Sequence, residues 1–67
     1  MKVFVNEKEF TLFNGAKVID ALRMYNNKAI KEIEQGLAEI LDAYGNHTDL
    51  NGAIHEGSRL FFRKIKK

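Results

Sequence analysis

The chain contains no cysteine and no proline. Without cysteine, disulfides, iron–sulfur ligation and thiolate zinc sites are all excluded. Without proline, nothing interrupts a strand ladder or breaks a helix from within. Ser58 is the only serine, and Thr11 and Thr48 have no base arranged nearby, so no nucleophile constellation is present. The glycines at 15, 36, 45, 52 and 57 are isolated from one another and form no phosphate loop. Long apolar runs are missing too. Met1-Lys2 leads straight into Val3-Phe4-Val5, and no segment approaches the length of a signal-peptide core or a membrane span. The expectation is a cytoplasmic protein with no membrane segment.

At 67 residues the chain is a single domain, residues 1–67. A chain of this size buries only about 60% of its unfolded surface. Packing must therefore supply the stability, and 45% apolar residues, five of them phenylalanine, are the material for it. A pocket of ordinary ligand size is hard to enclose in so small a body. Together with the missing nucleophile this points away from an enzyme, and no cofactor is implied.

Net charge is only +2, but it is unevenly placed. Arg59, Arg63, Lys64, Lys66 and Lys67 gather in the last nine residues, while residues 1–58 carry six bases against nine acids, or −3. A basic tail of this kind suits nucleic acid, anionic lipid or an acidic protein. It equally suits a solubilising cluster that ends a strand and discourages edge pairing. The second reading is favoured, because nucleic-acid binders carry more charge on one face.

Taken in order, Val3-Phe4-Val5 opens a strand and Phe10-Thr11-Leu12-Phe13 forms a second, joined by the polar turn Asn6–Glu9. Asn14-Gly15 ends the hairpin, Asn14 being a turn residue or a helix cap. Val18, Ala21 or Leu22, Tyr25, Ala29 and Ile33 then recur at helical spacing. Asn26-Asn27 weakens this helix, but the unbroken stripe favours one main helix reaching Gln35, capped by Gly36. Leu37–Ala43 has the propensity of a helix. The bracketing Gly36 and Tyr44-Gly45-Asn46 nevertheless favour a strand over Glu39–Ala43. Residues 45–57 read as loop, with at most one short strand or helical turn. Glu56-Gly57-Ser58 turns the chain into a closing strand, Arg59–Ile65.

This order of elements resembles the ubiquitin-like β-grasp fold, an α+β mixed sheet of four to five strands with one main helix on one face. Within it the chain is most similar to the ThiS and MoaD-like sulfur carriers of thiamin and molybdopterin synthesis. The likeness rests on the hairpin Lys2–Phe13, on Gly15 followed by Val18, Asp20, Ala21 and Leu22, and on Glu56-Gly57-Ser58-Arg59-Leu60. Serine stands where the group usually has aspartate. The resemblance also implies that the first and last strands lie side by side at the centre, and that the sheet's open face binds partners. Sulfur carriers end in Gly-Gly, threaded through a narrow enzyme channel where a Cβ would obstruct, whereas this sequence ends Ile65-Lys66-Lys67. Carrier chemistry would apply if the C-terminus is truncated. Ferredoxin-type relatives are excluded for want of cysteine, and TGS domains normally sit in larger chains.

If Val3, Val5, Phe10, Leu12, Leu60 and Phe62 face the helix, then Phe4, Thr11, Phe13, Phe61 and Arg63 share the open face. Each exposed phenylalanine forgoes roughly 1.5–3 kcal/mol of burial, so the patch needs an explanation. Its aromatic and cationic composition suits docking to another protein, with self-association as a weak homodimer or a covering loop as alternatives. A second hypothesis joins Phe4 and Phe61, as stacking platforms for RNA or DNA, to the basic tail Lys64, Lys66 and Lys67. His47 and His55 each neighbour a carboxylate (Asp49, Glu56), a composition compatible with acid–base or metal chemistry. Two imidazoles eight apart in a polar loop are more simply solvated side chains, and no metal site is expected.

Overall fold

The computed structural model describes residues 1–65. Four strands and two helices follow in the order β1 (Lys2–Val5), β2 (Lys8–Thr11), α1 (Val18–Tyr25), α2 (Asn27–Glu34), β3 (Ala38–Leu41) and β4 (Arg59–Lys64). The sheet order is β2-β1-β4-β3. The two outer pairs, β1 with β2 and β3 with β4, are antiparallel, and β1 runs parallel to β4 at the centre. This α+β arrangement, a mixed open sheet with two helices, is compatible with a ubiquitin-like fold.

The single main helix expected from the apolar stripe is two helices. Asn26 breaks it by adopting φ −170° and ψ 117°. Its backbone N–H donates to the Leu22 carbonyl at 2.7 Å, closing α1. Its side-chain oxygen accepts from the Lys28 N–H at 3.0 Å, opening α2. One asparagine therefore ends one helix and starts the next, because a short carboxamide competes with the helical ladder. The stripe survives the break. Val18, Ala21, Leu22 and Ala29 are buried, and Tyr25, Ile30 and Ile33 pack against the same core. At the start of α1 the Asp20 carboxylate accepts from the Lys17 N–H at 2.9 Å, so Asn14 belongs to the preceding turn and is not the cap.

The hairpin is tighter than its polar residues suggest. Only Asn6 and Glu7 form the turn, both left-handed at φ 51° and 68°. Two such residues match the twist of the flanking strands. Lys8 and Glu9 consequently belong to β2, with Val3 opposite Phe10 and Phe4 opposite Glu9. The second strand thus starts two residues earlier than Phe10 and ends before Phe13. β3 likewise begins at Ala38 and stops at Leu41, short of Ala43. Asp42 then turns the chain, and Leu41 bridges to His47. Between β3 and β4 there is no further strand among the described residues, only the isolated bridges Leu41–His47 and Lys17–Ala53.

Val3, Val5, Ile40 and Leu60 form the sheet's contribution to the core under the helices, joined by Leu12 just past β2. Alternation sends their neighbours to the opposite face. That face is the candidate site.

Candidate functional site

On the open face, register places Phe4 beside Arg59, Leu41 beside Phe61, and Glu39 beside Arg63. Phe4 is half-buried, with the Arg59 guanidinium 4.9 Å above its ring centroid. This cation–π contact covers the ring that was expected to be free. Phe61 is half-buried against Leu41. Arg63 donates through Nε to Glu39 Oε2 at 2.6 Å, and the other Glu39 oxygen lies 3.2 Å from His47 Nε2. Glu39 is thus the hinge of a three-residue chain, its side chain only 14% exposed.

Thr11, next to core-packed Phe10, shares this face and is exposed at the end of β2, opposite Lys2. Not every residue assigned to the face from the sequence belongs to it. Phe13 lies beyond β2, outside the sheet, and is 62% exposed. Its displacement follows from the two-residue turn, which shifts β2 toward the N-terminus. Lys64 alternates to the helix side and pairs with Glu32 of α2 at 3.5 Å. It is therefore separated from Arg63 by the thickness of the sheet, so of the described basic residues of the tail Arg59 and Arg63 share the face of Phe61 and Lys64 does not. Lys66 and Lys67 lie outside the described residues.

A shallow groove of about 460 Å³ runs beside Phe61. Asn6, Leu41, Asp42, Ala43, Gly45, Phe61, Phe62 and Arg63 line it. The wall at Asp42 is a locked turn. Asp42 Oδ1 accepts from the N–H groups of Tyr44 at 2.8 Å and Asn46 at 3.0 Å. The Asp42 carbonyl accepts from Gly45, and the Asp42 N–H donates to the Asn46 carbonyl. Gly45 sits at φ 80°, a conformation that a side chain would strain. This turn holds Tyr44 outward, 89% exposed.

On its far side, lined by Tyr44, a second and larger groove of about 630 Å³ opens toward His55, Glu56 and Ser58, above Val18, Ile54 and Leu60. The polar groups at this second groove are engaged in structure. Ser58 Oγ accepts from the His55 backbone N–H at 2.8 Å, and both Glu56 oxygens accept from the Lys2 N–H at 3.1 Å. Gly57, at φ 82°, lets the turn close with its N–H donating to the Lys2 carbonyl. Neither histidine lies on its sequence-neighbouring carboxylate by an ion pair among the described residues; His47 meets Glu39 instead. No group of three histidine or carboxylate side chains gathers among the described residues. No helix among them is long and apolar enough to cross a membrane.

No protein-family model, characterised protein or solved structure gives a significant match to this chain. The site is read from its geometry.

Sequence reading missed Tyr44 and Asp42. The signal was present in Asp42-Ala-Tyr-Gly45, where an aspartate three residues before a glycine is a turn that caps its own backbone. The hydrogen bonds from Asn46 and then Tyr44 hold the Asp42 carboxyl below its ordinary value of 3.8. A carboxylate depressed by folding lends stability that is complete above the unfolded pKa and is lost as pH falls through the folded one. The turn is therefore expected to loosen below about pH 4. Protection of the Tyr44 and Asn46 amides, taken relative to the intrinsic exchange rate at each pH, should fall on acidification in the native protein and be insensitive to acid in Asp42→Asn. Equal acid response in both proteins would show that the carboxylate does not hold the turn.

Proposed function

We propose that this chain is a ubiquitin-like β-grasp domain, related to the ThiS and MoaD-like carriers, that works as a non-catalytic protein-docking module. The observation that carries the reading is the groove along Phe61. It is an apolar strip with an aromatic floor, lined by Leu41, Ala43, Phe61 and Phe62, with Arg63 and the rigid turn at Asp42 on its margin. Half-buried aromatics with arginine at the margin are the composition of protein-interface hot spots. The hydroxyl of Ser58 is committed to holding a turn, which supports a binding role over a catalytic one.

The nucleic-acid alternative asked for Phe4 and Phe61 as stacking platforms beside basic residues. Arg59 over Phe4 and Lys64 on the helix side both weigh against that arrangement.

The test compares the native domain with Phe61→Ala and Lys64→Gln as baits, each shown by thermal melting to be folded. Docking through the groove predicts that Phe61→Ala weakens binding of the captured protein by about tenfold or more. Lys64→Gln should leave it unchanged. If Lys64→Gln weakens binding and the complex dissolves steeply with salt, the surface is electrostatic and the docking reading fails.

A further inference from the structure

We propose that Asn14-Gly15 is a site of spontaneous covalent modification, at which the folded chain converts Asn14 to aspartate and isoaspartate through a cyclic imide. The inference is independent of the docking reading. The reaction needs a side-chain carboxamide, an unblocked nitrogen on the next residue, and a backbone able to bring them together. Two Asn-Gly pairs occur in the chain, Asn14-Gly15 and Asn51-Gly52. In both, no Cβ shields the attacking nitrogen, so composition alone gives them the same reactivity. The fold separates them.

Asn14 and Gly15 are the exposed central residues of the turn between β2 and α1. One hydrogen bond closes this turn, from the Ala16 N–H to the Phe13 carbonyl at 3.2 Å. Gly15 at φ 91° makes it a type II turn. The Gly15 N–H donates to no group among the described residues. The space beside it is open, with no atom within 4 Å of where a Cβ would stand. Asn51-Gly52 is the opposite case. The Gly52 N–H donates to the Asp49 carbonyl at 2.9 Å, and the Gly52 carbonyl accepts from the Val18 N–H at 3.0 Å. A Cβ on Gly52 would stand 3.0 Å from the Asp49 carbonyl oxygen and 3.2 Å from Thr48 Oγ1. Cyclisation there must wait on local opening of the loop.

At Asn14 the Gly15 nitrogen, having lost its proton to hydroxide, bonds to Asn14 Cγ. The carboxamide nitrogen leaves as ammonia, taking a proton from water, and the cyclic imide remains. Water then opens the imide. Attack at Cγ gives aspartate, and attack at the main-chain carbonyl carbon gives isoaspartate, whose chain runs through the former side chain. Either product turns a neutral amide into a carboxylate, so the net charge falls from +2 by one unit to +1. Isoaspartate also lengthens the main chain between Leu12 and Ala16, both buried in the core. That product should melt below the native protein.

The test ages the folded protein and the urea-unfolded chain side by side in mildly alkaline buffer. Mass spectrometry then follows the peptides holding Asn14 and Asn51. In urea both should convert at similar rates. In the folded protein Asn14 should continue to convert, with Asn51 slower by about tenfold or more. Asn14→Gln, whose longer side chain cyclises less readily, should remove the main acidic species on isoelectric focusing. Equal conversion of Asn14 and Asn51 in the folded protein overturns the proposal. So does an Asn14 that stays intact there while the unfolded chain converts. An undiminished acidic species in Asn14→Gln places the reaction elsewhere and overturns it as well.

Discussion

Replacing Leu22 by alanine is expected to remove a large part of the domain's stability and to lower its urea midpoint sharply. Leu22 is fully buried, at the centre of a core shared by Val3, Val5, Val18 and Leu60. Truncating a buried leucine costs about 2–5 kcal/mol, from lost transfer energy and from the cavity left behind. A domain of this length has a total stability of about 3–10 kcal/mol. No disulfide can offset the loss, since there is no cysteine. Circular dichroism with a urea titration would read the effect directly. A midpoint within experimental scatter of the native one would mean that the helices are not seated on the sheet through Leu22.

Asn6→Ala is expected to destabilise the domain by about 2–4 kcal/mol, although Asn6 lies at the surface. β1 ends at Val5 because the chain turns into the hairpin, yet β4 continues. The Asn6 side chain replaces the missing strand. Its Oδ1 accepts from the Phe62 N–H at 2.9 Å, and its Nδ2 donates to the Phe62 carbonyl at 3.1 Å. The carboxamide thus stands in for the next peptide group of the parallel ladder. The same Nδ2 donates to the Tyr25 hydroxyl at 2.9 Å, tying the sheet to α1. Tyr25 in turn packs edge-on to Phe10 at 6.3 Å and tilted on Phe62 at 6.1 Å.

Alanine removes these bonds and must also hold φ 51°, where asparagine is tolerated and alanine is not. Asn6→Gly separates the two effects. It relieves the backbone but lacks the side-chain bonds, so it should recover about 1 kcal/mol relative to alanine. Equal destabilisation by both substitutions would assign the whole effect to the carboxamide. No effect from either would remove Asn6 from the central ladder.

What was readable in advance divides along local and non-local lines. Alternation in Val3-Phe4-Val5 and in Leu60-Phe61-Phe62 assigned core and open faces, and those residues lie on the faces that period dictates. Helical spacing selected Val18, Leu22, Tyr25, Ala29 and Ile33, and all of them meet the core. Both signals are repeated along the chain, so one irregular residue does not erase them. Boundaries were less readable. The hairpin turn lacks the usual glycine, so Asn6-Glu7 resembled the middle of a longer polar loop. Asn26 interrupts hydrogen bonding without interrupting the apolar stripe, and only the stripe is visible from spacing.

The open face shows the same division. Phe4, Phe61 and Arg63 were assigned to it from pleat alone. What the sequence left invisible was which of these side chains another residue covers. Arg59 lies over Phe4 because parallel pairing sets β4 beside β1, 55 residues apart in the chain. Glu39 reaches Arg63 and His47 because β3 pairs with β4 and the following turn folds back.

By itself, then, the sequence determined the inside of this protein. It excluded thiolate chemistry, set the order of strands and helical stripe, and chose the residues that pack. Those features depend on spacing and composition, which are properties of the chain. The tertiary structure alone decided the outside. It split the basic residues between two faces, capped Phe4, carried Phe13 off the sheet and raised Tyr44 beside a groove. The physical reason is register. A shift of the hairpin turn by two residues leaves each buried pair apolar, but it changes which exposed side chains become neighbours.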